Sequence, residues 1–222
     1  MNDFDDTAAR ERALSDGLAT PATGGAAPLS PPLRQSPVRL PAALKADCSR
    51  CAGLCCVVPA FFAVQGFGFD KPAHTACGHL TLDHRCAIHT ELDSRGFPGC
   101  RAFDCYGAGQ RVTQELLPGT NWRASDTAAA GVFAAYECLL VLHRLMALLV
   151  VAEATLPPPL DARMRVKRAE VDALCRSEAC RAGRVDTASV ERETTSLVRA
   201  AYTAARRLKS TPDADTVSAD NG

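Results

Sequence analysis

The sequence predicts a mainly α-helical protein in which an irregular, metal-stabilised cysteine-rich module is followed by a small three-helix bundle. Three observations carry this expectation. Apolar residues make up 47% of the chain but aromatic residues only 5%, so alanine, a strong helix former and a weak core former, inflates the apolar count. Eight of the eleven cysteines and four of the five histidines lie between Asp47 and Gln110. After Trp122 the pattern turns helical, with capping residues ahead of each apolar run.

Residues 1–44 are rich in Ala, Pro, Gly and charge and hold few residues able to anchor a core, which predicts a disordered arm with at most a short helix over Asp6 to Leu18. The opening stretch MNDFDDTAARERALSDGLAT starts acidic and has no apolar run of signal-peptide type, so a cytoplasmic location is expected. Residues 45–112 form the cysteine-rich module. Its other apolar residues, Phe61, Phe62, Phe67, Phe69, Ile88, Phe97 and Phe103 among them, are too few to stabilise a domain of that size alone. Bound metal would supply the missing stability.

Residues 113–209 are read as the helical bundle. Ser125 or Asp126 caps a long helix ending near Glu153; LPPPL breaks the chain; Asp161 caps a second helix to about Ala179; and Asp186 or Thr187 caps a third. On the third, Val190, Thr194, Leu197, Val198, Ala201, Ala204, Ala205 and Leu208 share one face. Residues 210–222 are polar and read as a disordered tail. The stretch from Ala128 to Ala154 is long enough to span a bilayer, but Glu137, His143 and Arg144 fall near its middle. Each would cost about 2.5 kcal/mol or more at a membrane centre. A buried helix and no membrane span are therefore expected, with a pocket near Glu137 to Arg144 where the module would meet it.

With 25 basic and 25 acidic residues, no net field recruits nucleic acid, and the basic run RMRVKR at residues 163–168 reads as a solvated helix face. An unidentified protein partner stays open. No phosphate-binding loop, dinucleotide fingerprint or nucleophile elbow occurs, and Asp83, Glu91, Asp93 and Asp104 receive no acid or base role from sequence.

The chemistry is concentrated in sulfur. In CSRCAGLCC, residues 48–56, a helical path would put Cys48, Cys51 and Cys55 within about 60° of one another and turn Cys56 about 100° away from Cys55. Cys48 and Cys51 form C-x2-C and Cys100 and Cys105 form C-x4-C, with Cys77 and Cys86 between them. In a reducing compartment such clusters serve metal more often than disulfides. Eight thiols exceed one tetrahedral zinc site or one four-cysteine iron–sulfur cluster, so either two sites or one site with spare cysteines is possible by count. Thiolate softness does not separate zinc from an iron–sulfur cluster. His89, three residues after Cys86, and His79 are added as donors; His74 and His84 read as surface groups or hydrogen-bond partners of ligands. Cys138, Cys175 and Cys180 are read as core residues, although a disulfide or half site from Cys175 and Cys180 is the alternative.

CSRCAGLCC, followed by Cys77, CAIH from Cys86 and FPGCRAFDC from Phe97, resembles the YkgJ-type cysteine-cluster family, described as a zinc- or iron-chelating domain and sometimes as an iron–sulfur protein. The segment also resembles the cysteine-rich stretch ahead of pentapeptide repeats in some bacterial proteins, though no such repeats follow here. This chain departs from the family's C-x2-C-x2-C-C opening by one residue before the vicinal pair, and has His89 where the family has tyrosine. The resemblance implies metal ligation by Cys48, Cys51, Cys77, Cys86, Cys100 and Cys105 with one or both of Cys55 and Cys56. The expected function is a cytosolic metal-binding protein, holding zinc or an iron–sulfur cluster, with a structural or partner-docking role. An iron–sulfur redox or metal-dependent enzyme, and a metal-responsive sensor or metal chaperone, are the alternatives.

Overall fold

Scarce apolar residues and frequent Gly and Pro leave residues 37–97 without a helical repeat, and they fold accordingly as loops pinned by single turns. The computed structural model describes residues 37–210; the short helix expected over Asp6 to Leu18, most of the expected arm and nearly all of the tail lie outside them. The cysteine-rich stretch is built from one-turn 3-10 segments at Ala42–Leu44, Cys48–Arg50, Leu54–Cys56, Ala63–Gln65 and His89–Glu91. Two isolated antiparallel bridges, Phe61 with Lys71 and Leu80 with Cys86, close its loops. Among the described residues no strand forms, and the protein is mainly helical.

The helices are α1 (Pro98–Ala102), α2 (Ala108–Arg111), α3 (Asp126–Thr155), α4 (Leu160–Cys175), α5 (Glu178–Arg181) and α6 (Thr187–Ser210), with a π-helical turn at Val112–Leu116 extending α2. Helix α3 starts where Ser125, extended at φ −165°, lets its side chain accept the Ala128 N–H at 3.1 Å. That bond satisfies one of the free amides of the first turn. Ser125→Ala is expected to lower stability by about 1 kcal/mol, read as a shifted midpoint in chemical denaturation.

Helix α3 is long and apolar enough to cross a membrane by length and composition, and half of its most apolar window is buried within the chain. Its three polar interruptions each meet a protein partner. Glu137 pairs with His74 at 2.8 Å, Arg144 with Glu191 of α6 at 2.9 Å, and His143 is fully buried against Arg111 and the Tyr106 carbonyl. Helix α4 lays Leu160, Met164, Val171 and Cys175 against α3, and Glu153 of α3 holds both Arg165 and Arg168 at 2.9 Å. The second helix ends at Cys175, short of the expected Ala179. Ser177 accepts the Cys180 N–H and starts the separate turn α5. Asp186 caps α6 by accepting from Ser189 N at 3.0 Å. Of its expected apolar face, Thr194, Val198, Ala201 and Ala205 are buried, whereas Leu208 is 62% exposed because α4 does not extend to cover it.

A single cluster of buried side chains runs through the fold. Leu44, Leu54, Val57 and Val58 from the cysteine-rich stretch join Tyr136, Leu139, Leu142 and Leu149 of α3 and Val171 of α4. Trp122 fastens the two halves, its indole N–H donating to the Ala52 carbonyl at 2.9 Å. The cysteine loops are thereby fixed against the N-terminal half of α3.

Candidate metal centre

The loop CSRCAGLCC owes its shape to Gly53. At φ +69° it occupies the left-handed region, and a Cβ there would stand 2.7 Å from Leu80 Cδ1 and 3.0 Å from the His84 carbonyl oxygen, so only glycine fits without strain. The reversal aims the Gly53 and Leu54 amides back at the Cys51 sulfur. Asp47 caps the first turn, accepting from Ser49 N at 2.9 Å, and Ala52 N donates to Thr113 Oγ1 at 3.2 Å. Arg85 spans the start of the loop by donating to the carbonyls of Cys48 and Ser49. Cys105 sits in a comparable turn. Tyr106 and Gly107 take positive φ values of 48° and 78°, and the Gly107 and Gly109 amides face the Cys105 sulfur. Peptide N–H groups aimed at sulfur favour the thiolate over the thiol.

These two turns face one another. Cys48, Cys51, Cys55 and Cys105 surround a cavity of about 20 Å³, closed by Gly109, Gln110 and Tyr136. A Cβ at residue 109 would lie 2.5 Å from Cys51 Sγ, so glycine there makes room for the sulfur. Tyr136 is wholly buried and its hydroxyl has no hydrogen-bond partner. Buried hydroxyls in folded proteins are nearly always paired, so a phenol left alone beside four thiols fits a site whose occupant would complete it. Burial first, and then the neighbouring thiols, push the Tyr136 pKa well up; at neutral pH its O–H stays a donor.

A second group lies across the vicinal pair. Cys56, Cys77, Cys86 and Cys100 lie near one another: burial first, and then Cys56, Cys77 and Cys86, raise the Cys100 pKa, while Cys56 also acts on Cys48 and Cys48 on Cys86. Cys77 N donates to the Cys56 carbonyl at 2.9 Å, and the Cys77 sulfur accepts from His79 N at 3.5 Å. The ammonium of Lys71, a buried residue, stands nearby, donating to the carbonyls of Val57, Pro59, Pro72 and Thr75 at 2.7 to 3.2 Å. The Cys55 contact, and then the Lys71 charge, lower the Cys56 pKa, whereas at Cys77 the Lys71 charge only opposes the burial that raises it. The Cys55 and Cys56 sulfurs are 3.9 Å apart, yet Cys55 faces the first group and Cys56 the second. The contact between the two, and then burial, raise the Cys55 pKa, and the same contact lowers that of Cys56.

All eleven cysteines are free. Burial pushes Cys51 to about 11 and Cys100 to about 12, and raises Cys48, Cys77, Cys86 and Cys105 as well. Such thiols are poor nucleophiles at neutral pH; they become thiolates in company with a cation. Among the described residues, no three Cys, His, Asp or Glu donors converge closely enough to form a ready-made coordination shell. Neither of the two sequence-nominated imidazoles lies among the sulfurs. His89 is exposed on its turn, and His79 packs edge-on against Phe97 with ring centroids 5.2 Å apart. Sequence reasoning missed Tyr136 and Lys71, because an apolar helix position and an isolated lysine carry no ligand signature. A groove of about 620 Å³ lies away from the cysteines between α4 and α6, lined by Arg163, Val166, Lys167, Glu193 and Leu197.

No family model matches the chain, and no solved structure matches it. Over 103 residues the chain is 40% identical to the uncharacterised protein YybG of Bacillus subtilis (strain 168), an alignment covering 46% of this chain and 37% of the relative. The chain thus spans little more than a third of the length of the curated relative it matches.

Proposed function

We propose that the chain is a cytosolic metal-binding protein with two four-cysteine sites, one formed by Cys48, Cys51, Cys55 and Cys105 and the other by Cys56, Cys77, Cys86 and Cys100. The cavity ringed by Cys48, Cys51, Cys55 and Cys105 but not by Cys56 carries this reading, and the second site takes the four thiols that remain, of which Cys56, Cys77 and Cys86 all act on Cys100. On it, residues 45–112 are a metal-stapled module and α3, α4 and α6 the three-helix bundle it rests on. The primary role is structural or partner-docking. Raised thiol pKa values, amide donors aimed at sulfur and the absence of any assigned general acid or base all suit ligation better than nucleophilic chemistry.

Thiolate ligands suit zinc and an iron–sulfur cluster alike, and the cavity of about 20 Å³ has room for about one water, so the redox alternative stands beside the structural one. When bound, a cluster would supply one-electron chemistry; the chain's own contribution is the Tyr136 hydroxyl, a buried donor beside the sulfurs.

Anaerobic purification followed by iron, zinc and sulfide analysis tests both readings. Brown protein absorbing near 400 nm supports the cluster, and colourless protein with about two zinc ions per chain supports the structural module. Protein of intact fold that binds neither metal refutes the proposal. Gly109→Ala is expected to lose the first site's metal, about half of the total, because its methyl would stand 2.5 Å from the Cys51 sulfur and push it aside. The helical circular dichroism signal should persist in that variant.

A further inference from the structure

Outside the two groups, three cysteines remain, and two of them touch. Cys138 on α3 and Cys180 on α5 place their sulfurs 2.9 Å apart, nearer than two unbonded sulfurs ordinarily rest. Both are buried, at 4% and 0% exposure. The connector carrying Cys180 is fixed within itself and packed against α3. Ser177 caps α5 through the Cys180 amide, and Gly183, at φ +65°, comes so close that a Cβ there would stand 2.6 Å from Ala134 Cβ. Ala134 lies one helical turn before Cys138. Cys175, the residue that sequence spacing would pair with Cys180, instead directs its S–H to Met146 Sδ at 3.8 Å.

We infer that Cys138 and Cys180 form a reversible disulfide-bonding site, oxidised by a peroxide, that links α3 covalently to the connector between α4 and α6. The chemistry balances with hydrogen peroxide as oxidant. One sulfur attacks a peroxide oxygen; an S–O bond forms, the O–O bond breaks, and the departing oxygen leaves as water with the thiol proton. The second sulfur then attacks the first: the S–S bond forms, the S–O bond breaks, and a second water carries off the remaining proton. Two thiols lose two electrons and peroxide becomes two waters. Burial selects a small oxidant, and Glu178 and Arg181, on either side of Cys180 in α5, are exposed. A dithiol reductant reverses the bond by exchange.

The test is a peptide map of the intact chain, purified without oxygen, treated with hydrogen peroxide, acid-quenched and alkylated in denaturant. Trypsin separates the three thiols. Cys138 falls in residues 124–144, Cys175 in 169–176 and Cys180 in 177–181, one cysteine each. The expected result is a linked pair of the first and third peptides, 2 Da lighter than their sum and dissociated by reductant. Cys138→Ala or Cys180→Ala should abolish it, and Cys175→Ala should leave it intact. Full alkylation of Cys138 and Cys180 after oxidation, or a link from either to Cys175, would overturn the inference. Neither residue belongs to the proposed metal sites, so the map and the metal analysis succeed or fail separately.

Discussion

Serine in place of Cys55 is expected to empty one four-cysteine site and leave the other loaded, and serine in place of Cys56 to do the reverse. The two sulfurs are neighbours in sequence and 3.9 Å apart in space, so a single shared site would make the variants equivalent. They are not equivalent in their surroundings. Cys55 lines the cavity with Cys48, Cys51, Cys105 and the unpaired Tyr136 hydroxyl, whereas Cys56 meets Cys86 and the Lys71 ammonium. Each variant should retain about half of the wild-type metal. On the proposed division, combining Cys55→Ser with Cys105→Ser should cost no more metal than either alone, whereas combining Cys55→Ser with Cys100→Ser should remove nearly all of it. Metal content per chain after anaerobic purification decides. Equal loss from Cys55→Ser plus Cys105→Ser and from Cys55→Ser plus Cys100→Ser would sink the two-site division.

The divergence of Cys55 from Cys56 was legible because it is local: adjacent residues on a turn or strand cannot point the same way. The structure reaches it by 3-10 turns on either side of a left-handed Gly53 rather than by the continuous helix that the angular estimate assumed. What spacing could not reveal was the fourth member of each group. Cys105 lines the cavity beside a left-handed Gly107, whereas Cys100, five residues before it, lies outside the cavity and within reach of Cys56, Cys77 and Cys86. Helix starts were legible at Ser125 and Asp186, where a side-chain oxygen meets a free amide. The end of α4 was not, since Ser177 re-caps the chain two residues after Cys175 within an otherwise continuous helical pattern. The three polar residues of α3 stood out in the sequence, but their partners lie 32 to 63 positions away in the chain and belong to tertiary structure.

His143 shows how much depends on such a partner. His143→Leu is expected to lower stability by about 3 kcal/mol at pH 7.5, since it strands the Tyr106 carbonyl and one face of the buried Arg111 guanidinium together. The imidazole sits between them, Nδ1 donating to the Tyr106 carbonyl at 2.7 Å and Nε2 accepting from Arg111 Nη1 at 3.1 Å. These partners require the neutral ring. Burial, and then the Arg111 charge, depress its pKa from 6.5 to about 4 against the opposing pull of the Tyr106 carbonyl and Asp172. Glu115 and Asp172 remain on Arg111 in the variant, at 3.2 and 3.7 Å, which limits the loss. The depressed value also fixes a pH dependence. Between about pH 6.5 and 4 the unfolded chain takes up a proton that the folded chain refuses, so this residue's contribution is fully present above 6.5 and shrinks as pH falls. One pH unit inside that window is worth about 1.4 kcal/mol. Urea titrations of the wild type and His143→Gln at pH 7.5 and 5.5 should therefore diverge, the wild type losing about 1.4 kcal/mol more than the variant, whose amide does not titrate. Both proteins carry the same cysteines, so acid release of metal affects them alike and cancels in the difference. Equal losses would mean that His143 is not held neutral by its burial against Arg111.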